Sequence, residues 1–156
     1  MTPTPAKKAI ATPVGGLIRS GLEGKIVSPG LSCSVVITSH NYARFLDECL
    51  DSVRDQTRTP KEVVVVDDSS TDNTWEVARD RGVKCIRVDC GETFYARYEG
   101  LKNTTSDVVC FLDADDCLSP DYIEEGLKDF NDHRVGIVYS DYQMFGMQTR
   151  RSQFPE

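Results

Sequence analysis

Short apolar runs rich in β-branched residues recur along this chain and alternate with stretches that have the period of a helix. The first run, SVVIT, is too brief for a helix and is apolar on both faces, which is typical of a buried strand. The runs that predict strands are residues 34–38, 62–67, 84–88, 107–112 and 136–139. Because strands that alternate with helices form right-handed βαβ crossovers, the pattern predicts an α/β fold with a mostly parallel sheet and helices on both faces.

The intervening stretches predict four helices. Between Tyr42 and Gln56, apolar residues recur with the helical period, as Leu46, Cys49 and Leu50 illustrate. Two more helices are expected over residues 74–81 and 94–102, and Gly82 supplies a stop for the first of them. A fourth helix is predicted to open with Ser119 as its N-cap and Pro120 at its first position.

Residues 1–31 differ from the rest of the chain in composition. They are rich in Pro, Gly, Thr and Ser and show no sustained periodicity, so we predict a flexible leader or linker that ends near Gly30. The apolar stretch at residues 10–18 is short and broken by proline and glycine, so it matches neither a signal peptide nor a membrane span. Residues 32–156 are then expected to form one domain.

Charge and cysteine usage exclude several classes of function. Lys and Arg number 18 against 25 Asp and Glu, and this net charge of -7 disfavours binding to nucleic acid or to an anionic membrane. The six cysteines form no CxxC pair, and only two histidines, His40 and His133, are present, so a zinc site is not expected. Cysteines within apolar strand-like runs favour buried, reduced thiols over disulfides, which suits a cytoplasmic protein.

Polar residues follow three of the predicted strands directly. The first strand ends in TSHN (38–41), the second in DDSSTD (67–72) and the fourth in DADD (113–116). In an open parallel sheet, ligands bind in the crevice outside the carboxyl ends of the strands. All three segments are therefore expected at one edge of the sheet, where they would form a binding site.

The segment DADD places Asp113, Asp115 and Asp116 within four residues. Two like charges about 4 Å apart repel by about 4 kcal/mol at an effective dielectric constant of about 20, so a cation is expected to neutralise them. Hard oxygen ligands favour Mg²⁺ or Mn²⁺, and an ion bound by one or two carboxylates keeps positions open for phosphate oxygens. The alternative is a solvated acidic loop, but the position directly after a buried strand favours the metal site.

The other two segments admit more than one interpretation. DDSSTD lacks the glycines of a dinucleotide site and the GK[ST] of a phosphate loop, but Asp68 can accept a hydrogen bond from a pyrimidine ring N–H or from a ribose hydroxyl. Ser69, Ser70 and Asp72 equally suit turn and helix-cap positions. His40 either stacks on a base or is a solvated loop residue, and Asn41 is expected first as a helix cap.

In this order and spacing, the segments SVVITSHNYARFLDECLDSV, EVVVVDDSSTDNT and DVVCFLDADDCLSPDYI, with IVYSDY at residues 137–142, resemble the N-terminal half of family 2 glycosyltransferases of the GT-A fold. The resemblance covers about residues 33–142 and implies a Rossmann-like nucleotide-sugar-binding domain, partial over residues 32–156. It also implies transfer of a sugar from a nucleotide diphosphate donor, often a UDP-sugar, with inversion at the anomeric carbon. The acceptor would be an unknown carbohydrate or another hydroxyl compound.

The resemblance also implies roles for individual residues. Thr38 would contact the nucleoside and His40 would lie against the base, to which Asp68 would hydrogen-bond. Asp113 would reach the ribose or the metal ion, and Asp115, the second acid of the DXD motif, would bridge Mn²⁺ or Mg²⁺ to the diphosphate. Arg97 falls near a basic residue that the family often aims at the donor, and Tyr98 follows it where Asn is common.

The chain is short compared with the family pattern. The family continues past the fifth strand with the acceptor-binding half and the carboxylate that deprotonates the acceptor, so the general base is expected beyond Glu156. Asp141 is expected to line the sugar pocket or to support the sheet. One alternative is therefore a fragment that binds the donor without catalysis. A second is a haloacid-dehalogenase-like phosphatase, although Cys117 replaces the threonine of that family's motif.

Overall fold

The computed structural model describes residues 8–10, 16–19, 30–145 and 150–152. Four helices lie among these residues. They are α1 (Ala43–Arg54), α2 (Thr74–Asp80), α3 (Thr93–Lys102) and α4 (Tyr122–Asp129). The strands are β1 (Lys8–Ile10), β2 (Leu17–Arg19), β3 (Cys33–Ser39), β4 (Glu62–Asp68), β5 (Lys84–Val88), β6 (Val108–Asp113), β7 (Asp116–Cys117), β8 (Ile137–Val138), β9 (Tyr142–Phe145) and β10 (Arg150–Ser152).

Six of the strands form the main sheet, in the order β5-β4-β3-β6-β2-β8. The pairs β4–β5, β3–β4 and β3–β6 are parallel, as the alternation of strands and helices predicts. The five predicted strands are all present, and the fifth is the two-residue β8. The prediction of an α/β fold with a mostly parallel sheet is confirmed.

Two of the strands lie within the predicted leader. Strand β2 inserts between β6 and β8 and is antiparallel to both, with Leu17 only 1% exposed and opposite Cys110. Strand β1 belongs to a second sheet of order β10-β9-β1-β7. The prediction of a flexible leader or linker did not include β2, whose Leu17 belongs to the core, because a three-residue strand depends on its partners rather than on a pattern of its own. Residues 1–7, 11–15 and 20–29 of that segment lie outside the described residues.

The core of the domain lies on both faces of the main sheet. All seven residues of β3 are buried, and side chains from α1, α2 and α4 pack on one face in a single apolar cluster. On the other face, Val36, Val64 and Val66 pack against Ala96 of α3. A Cβ atom at Gly100 of α3 would overlap the side chain of Val36, so this glycine permits the close approach of helix and sheet. Helices therefore cover both faces, as predicted.

The start of α4 differs from the prediction. The helix begins at Tyr122 with Asp121 as its N-cap, so Ser119 and Pro120 form a turn before it. The carbonyl of Ser119 accepts hydrogen bonds from the Gln56 side chain at 2.6 Å and from the Tyr122 N–H at 3.1 Å. These tertiary contacts fix the turn and move the helix start by two residues. Within the described ranges, no helix is both long and apolar enough to cross a bilayer.

Candidate functional site

Three of the predicted site residues meet where β3 and β6 end. Thr38 and Asp113 are register partners on these neighbouring strands, and the Thr38 hydroxyl donates to Asp113 Oδ1 at 2.8 Å. Arg97 of α3 donates from Nη2 to the same oxygen, also at 2.8 Å. The side chain of Arg97 is 14% exposed, so the ion pair is largely shielded from water. Asp113 therefore has a counter-ion within the protein.

Asp115 lies in the tight turn between β6 and β7. The buried Ala114 anchors this turn, because its N–H donates to the Thr38 carbonyl at 3.0 Å. Asp115 is half-buried, and among the described residues no other residue donates a hydrogen bond to its carboxylate. Burial, and secondarily the charge of Asp113, raise the pKa of Asp115 above its ordinary value. A cation at this turn would favour the ionised form of Asp115 and so counteract the effect of burial and of Asp113.

The carboxylates of this turn do not form a closed metal site. Among the residues that the structure describes, no group of three or more His, Cys, Asp or Glu side chains is arranged to hold an ion. Asp116 is 4% exposed and belongs to β7, so it is packed within the protein. Asp113 and Asp115 are two hard oxygen donors, and this set fits a Mg²⁺- or Mn²⁺-like ion whose remaining ligands come from a phosphate group and water.

Asp68 lies at the end of β4 and is fixed by the loop after β5. The residue is 8% exposed, and its Oδ1 accepts hydrogen bonds from the Cys90 N–H at 2.7 Å and the Gly91 N–H at 3.3 Å. Both bonds end on one oxygen, so the orientation of the carboxylate is defined while Oδ2 retains its capacity to accept. This arrangement suits a carboxylate that receives a donor from a ligand.

Asp67, which precedes Asp68, is a residue that the sequence interpretation missed. It is completely buried, and it accepts hydrogen bonds from Arg87 Nε at 2.9 Å and the Ser70 N–H at 3.0 Å. Arg87 lies directly opposite Asp67 on β5 and also stands over the Trp75 ring at 5.3 Å. The feature that could have identified this pair is the register of β4 against β5. That register can be assigned only when the order of the strands in the sheet is known. Asp67 therefore holds the loop that directly follows Asp68.

His40 and Asn41 connect the loop after β3 to the loop after β4. His40 is exposed, and its Nδ1 lies within hydrogen-bond distance of the Asp68 carbonyl oxygen. Asn41 has a φ of 59° and does not cap α1, contrary to the expectation. Its side-chain oxygen instead accepts from the Thr71 N–H at 2.8 Å. The two loops are thus tied together beside Asp68.

The N-terminus of α1 donates a hydrogen bond to the neighbouring loop. Asp72 Oδ2 accepts from the Ala43 N–H at 3.0 Å, and Asp72 Oδ1 accepts from the Thr74 hydroxyl at 2.6 Å. Burial alone would raise the pKa of Asp72, but hydrogen bonds from Thr74 and Ala43 outweigh it, so the pKa lies below its ordinary value. Asp72, in the loop after β4, therefore caps α1, which follows the neighbouring loop after β3.

A cavity of about 600 Å³ lies elsewhere, between α4 and the segment from β8 to β9. Asp141 lines it together with Tyr122 and Tyr139, and no residue of the turn at Asp115 contributes to it. Thr38, Asp68 and Asp113 lie instead at the carboxyl ends of the neighbouring strands β3, β4 and β6. The expected sugar-pocket position of Asp141 stays a prediction.

Comparison with known proteins identifies the family and its relatives. The model of the family described as glycosyl transferase family 2 matches residues 34–155. The chain is 32% identical over 117 residues to glycosyltransferase GlyA of Streptococcus pneumoniae. The matched region covers 72% of this chain and 17% of that protein. It is 36% identical over 119 residues to an uncharacterized glycosyltransferase of Nostoc, covering 70% of this chain and 36% of the relative. The chain thus spans about a sixth to a third of these relatives.

Solved structures of similar fold carry nucleotides. The structure of Staphylococcus aureus TarS residues 1–349 in complex with UDP is similar with a TM-score of 0.59 and 28% identity, over 66% of this chain and 33% of that one. A mannosyltransferase of Pyrobaculum calidifontis in complex with GDP-Man and Mn²⁺ has a TM-score of 0.52 and 27% identity, over 62% of this chain and 30% of its own.

Proposed function

Because the chain belongs to glycosyl transferase family 2, we propose that it binds a nucleotide diphosphate sugar, most simply a UDP-sugar, at the carboxyl ends of β3, β4 and β6. The observation that carries this proposal is that Thr38 and Arg97 both donate to one carboxylate oxygen of Asp113, beside the half-buried Asp115. A diphosphate needs cationic partners, and Arg97 is a cation at this edge. The TarS complex with UDP supports the choice of nucleotide.

The nucleoside would be recognised at the loops after β3 and β4. Asp68 has a fixed carboxylate and would accept a hydrogen bond from the ring N–H of the base. His40 is exposed beside Asp68 and would lie against the base, while Thr38 would contact the nucleoside from the end of β3. Arg97 would contact the diphosphate, since a guanidinium pairs well with phosphate oxygens.

Asp115 and Asp113 would hold a divalent ion, Mn²⁺ or Mg²⁺. When bound, the ion would neutralise negative charge that develops on the departing diphosphate. The chemistry of the two carboxylates fits such an ion. The mannosyltransferase structure that contains both GDP-Man and Mn²⁺ supports the pairing of a divalent ion with a nucleotide sugar. The turn through Ala114 orients Asp115 relative to Asp113.

The reaction we propose is transfer with inversion. The acceptor oxygen forms a bond to the anomeric carbon from one face, while the bond to the diphosphate oxygen breaks on the other face. The acceptor hydroxyl loses its proton to a base, for which we assign no residue of this chain. The second candidate function is donor binding without transfer, because the contacts at Asp113 account for donor binding and no described residue is assigned as the base.

Calorimetry tests the binding proposal. We expect UDP to bind the chain in the presence of Mn²⁺, and Asp115→Asn to weaken that binding by at least about tenfold, which corresponds to about 1.4 kcal/mol. The matched control is Asp80→Asn, which removes one carboxylate charge at an exposed position of α2. Absence of UDP binding, or equal binding by wild type and Asp115→Asn, would contradict the proposed site.

A second measurement separates transfer from binding alone. UDP release from UDP-sugars is followed with a mixture of carbohydrate acceptors, with Asp115→Asn as the inactive reference. Release that depends on both the acceptor and Asp115 supports the transferase, whereas tight binding without release supports the donor-binding module.

We also propose that the protein resides in the cytoplasm. All six cysteines are free in the structure, and four of them are buried, which suits a reducing compartment. Protein isolated from cells under acid quench and then denatured should react with thiol reagent at six positions, and a substoichiometric count would contradict the proposal.

A further inference from the structure

The counter-ion of Asp113 is not an exposed surface charge. Arg97 is 14% exposed, Asp113 is 32% exposed, and the Nη2 to Oδ1 distance is 2.8 Å. Thr38 donates to the same Oδ1 at the same distance. The Thr38 hydroxyl is a neutral donor, whereas Arg97 also supplies a positive charge. The first acid of the DXD motif is therefore compensated electrostatically within the domain.

This ion pair opposes the binding of a free metal ion. A divalent cation that approaches Asp113 and Asp115 meets the positive charge of Arg97 at close range, in a partly buried setting where screening by solvent is weak. Asp115 alone is left to attract the ion. A metal site of this kind is weak until another anion arrives that can take up the guanidinium.

A diphosphate is such an anion. Guanidinium groups form paired hydrogen bonds with phosphate oxygens, so a diphosphate beside Asp115 would compete with Asp113 for Arg97. If Arg97 moves to the diphosphate, the charge of Asp113 becomes available to the metal ion. By linkage, each ligand then raises the affinity of the other by the same factor.

We propose that Arg97 couples metal binding to diphosphate binding by exchanging its partner from Asp113 to the diphosphate. This inference rests on the proposed function and adds to it a reason why the metal and the nucleotide bind together. Arg97 would have two partners, one after the other. The first is Asp113, with which Arg97 forms a hydrogen bond in the structure, and the second is the diphosphate.

The test measures Mn²⁺ affinity of the purified chain without and with UDP, by the paramagnetic resonance signal of free Mn²⁺. In wild type, saturating UDP is expected to tighten Mn²⁺ binding by more than about tenfold. In Arg97→Met, which keeps the aliphatic stem, Mn²⁺ without UDP should bind about tenfold more tightly than in wild type, and the gain from UDP should shrink. In Arg97→Lys, which keeps the charge, Mn²⁺ affinity without UDP should stay within about threefold of wild type.

Two controls isolate the charge of Arg97. Arg54→Met changes the net charge equally but on the exposed surface of α1, where Arg54 pairs with Asp51, and should leave Mn²⁺ affinity unchanged. Thr38→Val removes the neutral partner of Asp113 and should not tighten Mn²⁺ binding as Arg97→Met does. If Arg97→Met does not fold, as judged by circular dichroism, Arg97→Gln provides the neutral variant.

The outcomes separate the inference from the proposed function. If wild type binds UDP and Mn²⁺ but the neutral Arg97 variant binds Mn²⁺ alone no more tightly, the coupling role is wrong and the donor site stands. If Thr38→Val tightens Mn²⁺ binding as much as Arg97→Met, loosening of Asp113 explains the effect and the charge role is wrong. If wild type binds neither ligand, both proposals fail.

Discussion

Asp67→Asn should destabilise the domain although Asp67 contacts no proposed ligand. The carboxylate is completely buried and accepts hydrogen bonds from Arg87 Nε and from the Ser70 N–H. One ionic and one backbone hydrogen bond therefore hold it. The side-chain oxygen of asparagine can still accept from the Ser70 N–H. The neutral amide group would then face the Arg87 guanidinium, so the ionic hydrogen bond is lost. A hydrogen bond to a charged group contributes about 1.5–3 kcal/mol, and the 56% exposure of Arg87 places the loss toward the lower end, at about 2 kcal/mol.

Urea unfolding, followed by far-ultraviolet circular dichroism, measures this loss as a lower midpoint at unchanged m-value. Asp80→Asn is the matched control, because the same chemical change at an exposed position should leave the midpoint unaltered. A double-mutant cycle with Arg87→Met then isolates the pair, since contacting residues are expected to show a coupling energy of at least about 0.5 kcal/mol.

An Asp67→Asn variant that unfolds at the wild-type urea concentration would contradict this role of Asp67. So would effects of Asp67→Asn and Arg87→Met that add independently, because the pair would then contribute nothing to the loop. A changed m-value would indicate an altered denatured state and would call for the hydrogen-exchange rate of the Ser70 amide as the readout.

Two further predictions concern pH and packing. Because hydrogen bonds hold the pKa of Asp72 below its ordinary value of 3.8 despite burial, Asp72 stabilises the fold above about pH 4 and this contribution is lost as the pH falls below 3.8. Asp72→Asn should flatten that part of the stability curve measured by thermal unfolding, and an unchanged slope would contradict the cap role. Gly100→Ala should lower stability by about 1–2 kcal/mol in urea, because the overlap with Val36 outweighs the gain in helix propensity, and a stabilised variant would refute the close approach.

The strands and helices that carry strong local patterns were predictable from the sequence. Most residues of β3 and β4 are buried, and both strands contain runs of β-branched residues. The predicted range 34–38 is one residue short at each end of β3, and 62–67 is one residue short at the C-terminal end of β4. Elements held by distant partners were not predictable. Strand β2 exists because β6 and β8 flank it, and α4 starts late because Gln56 holds the Ser119 carbonyl.

Cap residues show the same limit at the level of single hydrogen bonds. Asn41 and Asp72 both have the side chains that suit caps, and local sequence favours Asn41 for α1 because it lies just before the helix. The structure exchanges these roles, since Asp72 binds the Ala43 N–H while Asn41 binds the loop at Thr71. The exchange requires that the loops after β3 and β4 lie side by side, which follows from the strand order and not from either loop alone.

Asp113 and Asp115 illustrate why spacing predicts a metal site but not the surroundings of each candidate ligand. Asp113 and Asp115 are two residues apart and chemically identical, yet Asp113 ends a strand and meets Arg97, whereas Asp115 lies in the turn and has a raised pKa from burial. Arg97 reaches Asp113 because α3 packs against β3 and β4, with Ala96 and Gly100 toward the sheet. The small residues that bring the helix close are therefore also what places a cation beside the first acid, so the packing of α3 sets the charge balance of the site.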